Sequence, residues 1–349
     1  MEPILLVGGT WDDEGGRPSK IVSAMQSVLQ GTCHNGGHFA DLVRIRETIP
    51  SEGETVWMAN VPNDKEKIVA DIKAQSPKTI LATSKRNVDG KYGLMELIAH
   101  ALKIKSNLFI EFSRDNPDGR LRGRLLDPLG NLWCDSTDFL QVAHALKKRL
   151  QQLGRFSRIG SRQAGAAMDV PDEAKFFGTV RGLADTFHAL MHGASPERFL
   201  GNASFRCERG FPSFRAHDHV FVSRRDIDKR YIGREGFVAV DPASTETVLY
   251  YGDKKPSVDA PIQVRLYQHY PEVRYMVHSH VYAKDGLFTK RAIPCGAIEE
   301  FDEIKALFPE RGTCRATINL LGHGSLVMSD DVEFVPHYYA RKMPEPQAE

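Results

Sequence analysis

Short apolar segments alternate with amphipathic segments through the first half of the chain. The apolar segments predict β-strands at 4–7, 55–61, 79–84 and 107–112. In the amphipathic segments apolar residues recur every three or four positions, as Ile21, Met25 and Leu29 do, which is typical of helices with one buried face. These segments predict helices that begin near residue 18 and at 64, 93 and 138. Strands alternating with such helices indicate a doubly wound parallel sheet, as in Rossmann-like domains.

The second half has a different pattern. Phe176, Val180, Ala184 and Phe187 form a helical stripe, a strand is predicted at 219–223, and a helix at 262–270. Between the halves, residues 154–170 show no apolar period and predict a linker or opening loop. We therefore expect two domains, at 1–155 and 171–349.

The composition narrows the classes of function. Lys and Arg total 46 and Asp and Glu 45, and a formal net charge of +1 does not indicate a nucleic-acid surface. No apolar run approaches the roughly 18 residues of a membrane span, and the first residues lack the pattern of a signal peptide. Five cysteines without a CxxC pair indicate reduced thiols. We expect a cytoplasmic protein that acts on a small molecule and binds neither nucleic acid nor membrane.

Histidines end two apolar runs in the second half. His278 and His280 close the first run, and residues two apart on a strand point to the same face. His323 follows the second run, at 316–321. Three imidazoles with an open fourth position suit a catalytic divalent metal such as Zn²⁺. From spacing alone, a surface pair of histidines without a metal is the alternative.

Glycines and polar residues follow two predicted strands of the first half. Gly8, Gly9 and Thr10 lie between the first strand and a helix, where backbone N–H groups can hold a phosphate. Ser84 and Lys85 stand at the end of another strand. These residues predict a nucleotide or phosphate site. The alternative is a tight turn that needs glycine only for its backbone angles, because the established phosphate-loop spacings are absent.

Five motifs follow one another in the second half. They are Gly-Asn-Ala-Ser at 201–204, Pro-Ser-Val-Asp at 256–259, His-Ser-His at 278–280, Ala-Ile-Pro-Cys at 292–295 and Leu-Gly-His-Gly at 321–324. The series resembles the class II aldolase/adducin family, which includes L-fuculose-phosphate aldolase and L-ribulose-5-phosphate 4-epimerase. The resemblance covers about residues 172–341. It implies an α/β/α domain around a largely antiparallel sheet, next to the Rossmann-like domain.

The resemblance also implies a site and a chemistry. His278, His280 and His323 would bind Zn²⁺, Mn²⁺ or another divalent metal, which acts as a Lewis acid while a hydroxy-ketone becomes an enediolate. Asp259 stands where the family's aldolases carry a glutamate and its epimerases an aspartate, and it would be a general base or a metal-associated carboxylate. The alternative role for Asp259 is to cap the helix that begins near Pro261, and the two roles are compatible.

The resemblance assigns substrate contacts to Gly201, Asn202, Ser204, Arg224, Arg225 and Ser257. The first three belong to the family's phosphate-binding Gly-Asn-x-Ser motif. Arg224 and Arg225 depart from the family, which has small residues there. They can clamp a phosphate or carboxylate, or they can form a charged hairpin.

Two tyrosines near the end of the chain, Tyr338 and Tyr339, are candidate proton donors. In the family a C-terminal tyrosine can reach the active site of a neighbouring subunit. The alternative is that they pack the terminal segment. Because relatives commonly form tetramers, we expect a homo-oligomer, either a dimer or a tetramer.

Three functions remain open on the sequence. The first is a metal-dependent aldolase or epimerase that acts through an enediolate-type intermediate on a small polyhydroxy carbonyl substrate, phosphorylated or nucleotide-linked. The second is an adducin-like scaffold without catalysis, because a fold does not settle a function. The third is a nucleotide-binding enzyme whose chemistry lies in the N-terminal domain.

Overall fold

The structure, a computed structural model, describes residues 5–8, 20–35, 55–59, 61, 66–75, 79–115, 117–157, 159–190, 200–206, 219–243, 246–333 and 336–339. The chain divides into two compact units, Met1–Arg155 with Arg341–Glu349, and Phe156–Ala340. Among the described helices, none is both long enough and apolar enough to cross a bilayer.

A seven-stranded sheet forms the first unit, in the order β2-β1-β3-β4-β5-β6-β7. Its strands are β1 Leu5–Gly8, β2 Thr32–Asn35, β3 Thr55–Met58, β4 Ile80–Asn87, β5 Leu108–Ser113, β6 Arg122–Leu126 and β7 Leu132–Ser136. All pairs from β2 to β5 are parallel, while β6 and β7 are antiparallel. The order of the parallel part is that of a doubly wound sheet, so the predicted fold class of this half is confirmed.

Helices cover both faces of this sheet. They are α1 Lys20–Leu29, α2 Glu66–Gln75, α3 Leu94–Lys103 and α4 Phe139–Gly154. On one face α1 and α4 pack around Trp57 of β3. On the other, Val69 of α2 packs with Val56, and Leu97 of α3 packs with Phe109. Because neighbouring strand residues point to opposite faces, β3, β4 and β5 each supply both cores.

The antiparallel end of the sheet was not predicted. The Pro and Gly of 126–131 predict a turn, and the structure has one there: Oδ1 of Asp127 accepts from the N–H groups of Leu129 and Asn131 at 2.9 and 3.1 Å. The strands on either side were missed because charged residues interrupt their apolar pattern, Arg122 and Arg124 in β6 and Asp135 in β7. Arg124 of β6 pairs with the buried Glu111 of β5 at 2.7 Å, so an ion pair replaces the apolar contact that the pattern requires.

The second unit contains a nine-stranded sheet in the order β15-β16-β17-β13-β9-β10-β11-β12-β8. Its strands are β8 Ser161–Gly165, β9 Asn202–Arg206, β10 Val220–Ser223, β11 Phe237–Val240, β12 Val248–Tyr251, β13 Tyr275–Ser279, β15 Leu287–Phe288, β16 Ala316–Leu320 and β17 Gly324–Ser329. The short strands β14 Tyr282–Ala283 and β18 Tyr338–Tyr339 form a separate pair. All pairs of the large sheet are antiparallel except β8–β12 and β15–β16.

Three helices complete an α/β/α arrangement. They are α5 Ala174–Leu190, α6 Ala260–His269 and α7 Glu299–Leu307. On one face Phe176 of α5 lies against Phe205 and Tyr275, with ring centroids 5.7 and 4.8 Å apart. On the other face Leu266 of α6 and Ile304 of α7 enter the core of the sheet. The predicted α/β/α domain with a largely antiparallel sheet is confirmed.

The stretch 154–170, predicted to be a linker or an opening loop, contains the edge strand β8. Its residues pair in parallel with β12, from Ser161 opposite Val248 to Gly165 opposite Tyr251. Most of its side chains are exposed, so no apolar alternation marks it. Backbone pairing with β12 places β8 in the sheet. The prediction of an irregular segment is therefore wrong for Ser161–Gly165.

Candidate metal centre

One end of the central strands of the second unit carries two histidines. His278 lies in β13 opposite Asn202 of β9. His280 comes directly after the last residue of β13, Ser279. The ring centroids of the two histidines are 5.0 Å apart. The strand therefore delivers both rings to the same end of the sheet.

His323 reaches the same place from the hairpin between β16 and β17. Gly324 follows it with φ +142°, and a Cβ there would lie 1.9 Å from the carbonyl oxygen of Ser279, so the close approach to β13 requires glycine. The ring centroid of His323 lies 4.4 Å from that of His278 and 6.2 Å from that of His280. One ring nitrogen from each of the three lies within 4.8 Å of the others.

Hydrogen bonds at Nδ1 fix two of the rings. Nδ1 of His278 lies 2.9 Å from the backbone oxygen of Ser325, and Nδ1 of His323 lies 2.7 Å from Oε1 of Glu300. An acceptor at Nδ1 places the proton there, so the neutral ring keeps its lone pair on Nε2. Each Nε2 faces the carboxylate of Asp259 at 3.9 Å. Both rings are therefore oriented to coordinate through Nε2.

Asp259 points towards the histidines. It occupies the position before α6 but makes no side-chain capping hydrogen bond. Its Oδ2 accepts from Nδ2 of Asn202 at 2.7 Å. Its Oδ1 accepts from the N–H of Gly296 at 2.9 Å and from Sγ of Cys295 at 3.2 Å. The side chain therefore does not cap the helix, and three donors hold its carboxylate in the site.

Burial and charge act in opposite directions on the pKa values here. Burial alone would raise the pKa of Asp259, but the imidazoles of His323 and His278 and its hydrogen bonds outweigh burial and hold that pKa below its usual range. Burial raises the pKa of Glu300. For His323 burial acts to lower the pKa, yet Glu300 and Cys295 raise it well above its usual value. The site thus stabilises positive charge at the position of His323.

The donor set fits the divalent metal that the resemblance implies. Three imidazoles and a carboxylate are donors that Zn²⁺ and Mn²⁺ accept. Within the described part of the chain, Nε2 of His323 is buried without a hydrogen-bond partner. Leaving a buried polar atom unsatisfied costs about 1–3 kcal/mol, and coordination would remove that cost.

Gly201 makes room for the ring of His278. A Cβ at Gly201 would lie 2.3 Å from Cδ2 of His278 and 2.8 Å from its backbone oxygen. We expect Gly201→Ala to lower the free energy of unfolding by about 1–3 kcal/mol and to weaken Zn²⁺ binding, because the ring must move. Urea unfolding and a metal titration measure the two effects.

The matched control for that variant is Gly182→Ala in α5. A Cβ at Gly182 meets nothing within 4 Å, and alanine is about 0.5–1 kcal/mol better than glycine inside a helix. This variant should therefore be slightly stabilised, with unchanged Zn²⁺ binding. A Gly201→Ala protein as stable as the unsubstituted chain, with the same metal affinity, would contradict the steric argument.

Glu300 is expected to orient His323 for the metal. Replacing Glu300 with glutamine keeps an oxygen near Nδ1 but removes the charge, and losing a partner that orients a ligand typically costs 10- to 100-fold in metal affinity. We predict that range for the Zn²⁺ dissociation constant, measured by competition with a chromophoric chelator. Glu303→Gln on the same helix is the control, because its carboxylate binds Arg291 instead. Equal affinities in the two variants would rule out this role.

Ser204, a predicted substrate contact, lies in the interior of the second unit. Its side chain is fully buried, and its hydroxyl lies 3.1 Å from the Tyr267 hydroxyl of α6. Asn202, two residues earlier on the same face of β9, is also fully buried and binds Asp259 and Gln263. Asn202 therefore positions the carboxylate, and contact of Gly201, Asn202 and Ser204 with a ligand stays a prediction.

Arg224 and Arg225, the arginine loop, lie beside the segment that leads to Asp259. The N–H of Arg225 donates to the backbone oxygen of Lys255 at 3.0 Å, and the N–H of Ser257 donates to that of Ser223 at 3.1 Å. Nε of Arg224 is buried and has no hydrogen-bond partner in the described ranges. Contact of Arg224, Arg225 and Ser257 with a ligand stays a prediction.

The predicted end of the strand that carries Ser84 and Lys85 is wrong, while their phosphate-binding role stays a prediction. β4 runs from Ile80 to Asn87, so Ser84 and Lys85 lie buried inside the strand instead of in a loop after it. The prediction ended the strand at its first charged residue, but Lys85 lies over the ring of Tyr92, 4.8 Å from its centroid. Gly9 and Thr10 lie outside the described residues, and Gly8 is the last residue of β1.

The two C-terminal tyrosines form β18. Their backbone pairs with β14, Tyr339 opposite Tyr282 and Tyr338 opposite Ala283. The side chains of Tyr338 and Tyr339 lie outside the described part of the structure, so their role as proton donors stays a prediction.

Sequence reasoning missed two residues of the centre. Glu300 had only the sequence signal of an acid in the first turn of a helix, which usually means a favourable helix dipole. Cys295 belongs to a recognised motif but has no activating neighbour in sequence. Both act through residues distant in the chain, His323 and Asp259, which only the fold brings near.

Comparisons with known proteins find one family match and similar solved structures. Residues 181–298, which include Asp259, His278 and His280, match the family described as Class II Aldolase and Adducin N-terminal domain. An L-fuculose 1-phosphate aldolase structure is similar over 47% of this chain and 78% of its own, with 16% identity and a TM-score of 0.33. A DNA/pantothenate metabolism flavoprotein from Streptococcus pneumoniae is similar over 44% of this chain and 98% of its own, with 11% identity and a TM-score of 0.33.

A search of the curated proteins finds no match. The family match lies wholly within the second unit. The second unit of this chain therefore carries a class II aldolase and adducin domain.

Proposed function

We propose that the second unit is a divalent-metal-dependent enzyme of the aldolase or epimerase type. Its substrate would be a small polyhydroxy carbonyl compound, and the reaction would pass through an enediolate-type intermediate. The observation that carries the proposal is the grouping of His278, His280 and His323, with ring nitrogens within 4.8 Å of one another and Asp259 at 3.9 Å. A scaffold domain has no need of this arrangement.

The histidines and Asp259 would have separate roles in the reaction. The three histidines would hold a Zn²⁺ or Mn²⁺ ion, which as a Lewis acid stabilises negative charge that develops on substrate oxygens. Asp259 would take a proton from the carbon next to the carbonyl and return it later. The donors at Asn202 and Gly296 keep its carboxylate in place.

The arginine loop supports an anionic group on the substrate. Arg224 and Arg225 follow β10, and their backbone is tied to Gly236 and Lys255. A fixed backbone reduces the entropy lost when a guanidinium binds a phosphate or carboxylate. A phosphorylated hydroxy-ketone is therefore expected to bind more tightly than the free hydroxy-ketone.

Proton exchange at the carbon next to a carbonyl tests the proposed reaction without knowledge of the true substrate. Zn²⁺- or Mn²⁺-loaded protein is incubated in D₂O with dihydroxyacetone or its phosphate, and deuterium incorporation is followed by NMR. We expect exchange that depends on the metal and stops on chelation. Metal-loaded protein without exchange on any of a panel of hydroxy-ketones would favour the scaffold function.

We further propose a cytoplasmic homo-oligomer, a dimer or a tetramer. This proposal rests on the resemblance to the class II aldolase/adducin family, whose members commonly form tetramers. Within one subunit, β18 pairs the backbone of Tyr338 and Tyr339 with β14, shortly after His280 in the chain. The C-terminal segment is thus close to the site-bearing segment within one subunit. Light scattering on the full chain measures the assembly, and a monomer at micromolar concentration would reject this part.

A further inference from the structure

A second set of three donor groups adjoins the histidines. Asp259, Cys295 and His323 each offer a ligand atom, and these atoms lie within 4.8 Å of one another. His323 belongs to both sets. The thiol of Cys295 lies 3.2 Å from Oδ1 of Asp259, the oxygen that lies 3.9 Å from Nε2 of His323.

His323 supplies an independent sign that this space holds a ligand. The residue is 6% exposed, and Nε2 is buried without a hydrogen-bond partner in the part of the chain that the structure describes. The Nδ1 side is already used by Glu300 at 2.7 Å. This nitrogen therefore faces the carboxylate of Asp259 and the thiol of Cys295.

The backbone around Cys295 keeps the thiol in place. Gly296 follows with φ +78° and donates its N–H to Oδ1 of Asp259 at 2.9 Å. A Cβ on Gly296 would lie 3.1 Å from the backbone oxygen of Val258. The turn is thus packed against the segment that carries the carboxylate, and Cys295 cannot move far from it.

We propose that Cys295 is a further ligand of the ion in this centre, through its thiolate. The inference rests on the proposed metal-dependent function and adds a sulfur donor to its histidines. On binding, the S–H bond breaks, a bond from sulfur to the metal forms, and the proton leaves to solvent by way of Asp259. Thiolate is a soft ligand that suits Zn²⁺ and Co²⁺ and suits Mg²⁺ and Mn²⁺ poorly. The centre is therefore selective for Zn²⁺ over Mn²⁺.

Cobalt substitution gives a readout that does not depend on activity. Thiolate ligation of Co²⁺ produces a strong near-ultraviolet charge-transfer absorption, whereas imidazole and carboxylate ligands give only weak visible bands. We expect the Co²⁺-loaded full chain to show this absorption, and Cys295→Ser to lose it while the visible bands remain. Cys314→Ser is the matched control, since Cys314 is a free, partly buried thiol outside both donor sets.

The outcomes separate the two proposals. Visible bands without charge transfer in the unsubstituted protein, or charge transfer that survives Cys295→Ser, would overturn the thiolate ligand and leave the histidine centre standing. Visible bands that persist in His278→Ala would argue against the histidine centre itself. A competition titration adds a second measure: the preference for Zn²⁺ over Mn²⁺ should fall about tenfold or more in Cys295→Ser, and an unchanged preference would also overturn the proposal.

Discussion

His278→Ala is expected to lower the affinity for Zn²⁺ by more than about 100-fold, beyond the 10- to 100-fold loss typical of a residue that only orients a ligand. The substitution removes one of three imidazoles and with it the hydrogen bond from Nδ1 to Ser325 that aims the ring. Metal-dependent proton exchange should fall below detection. Equilibrium dialysis with elemental analysis measures the first effect and NMR the second.

His188→Ala is the matched control for that result. His188 lies in α5, partly buried and outside the donor groups, so its removal should leave Zn²⁺ affinity unchanged. Circular dichroism establishes that both variants keep their fold. A folded His278→Ala protein that binds Zn²⁺ like the unsubstituted chain would refute the assignment of His278 as a ligand.

Asp259→Asn is expected to reduce the rate of proton exchange by about 10²- to 10⁴-fold, the usual contribution of a general base. Asparagine has nearly the same shape but cannot take up a proton. Its amide also presents one oxygen where the carboxylate presents two to the donors at Asn202 and Gly296. The exchange rate at saturating substrate, measured on protein with one bound metal, isolates this effect.

Metal content decides between the two roles considered for Asp259. If it acts as the base, Asp259→Asn should keep a full equivalent of Zn²⁺ while the exchange rate falls. Loss of the metal together with activity would make the carboxylate a ligand instead. Asp253→Asn, at an exposed carboxylate paired with Lys254, controls for the change in charge and should alter neither property.

The alternation of apolar and amphipathic segments predicts the strands of the first unit where they are apolar. It does not predict the strands whose charged residues form ion pairs. β3 and the first residues of β4 and β5 are buried on both faces and form the apolar runs that the pattern detects. β6 carries Arg122 and Arg124, whose partners Asp135 and Glu111 lie on neighbouring strands. An ion pair between strands cannot be recognised before the strands are aligned, so β6 and β7 were missed.

The residues of the candidate centre that belong to sequence motifs could be predicted. The HxH pair and the following glycine-histidine motif pointed to His278, His280 and His323, and the Pro-Ser-x-Asp motif pointed to Asp259. The supports of these residues could not be predicted, since Glu300 and Cys295 contact them only through the fold. The burial of Ser204 against Tyr267 also depends on how α6 packs on the sheet.

The most direct test of the central claim is an anomalous-difference map, recorded at the zinc absorption edge from crystals of the Zn²⁺-loaded protein. The account predicts one strong peak about 2.0–2.1 Å from Nε2 of His278, from Nε2 of His323 and from a ring nitrogen of His280. A fully loaded protein whose anomalous peak lies away from these three histidines would contradict it.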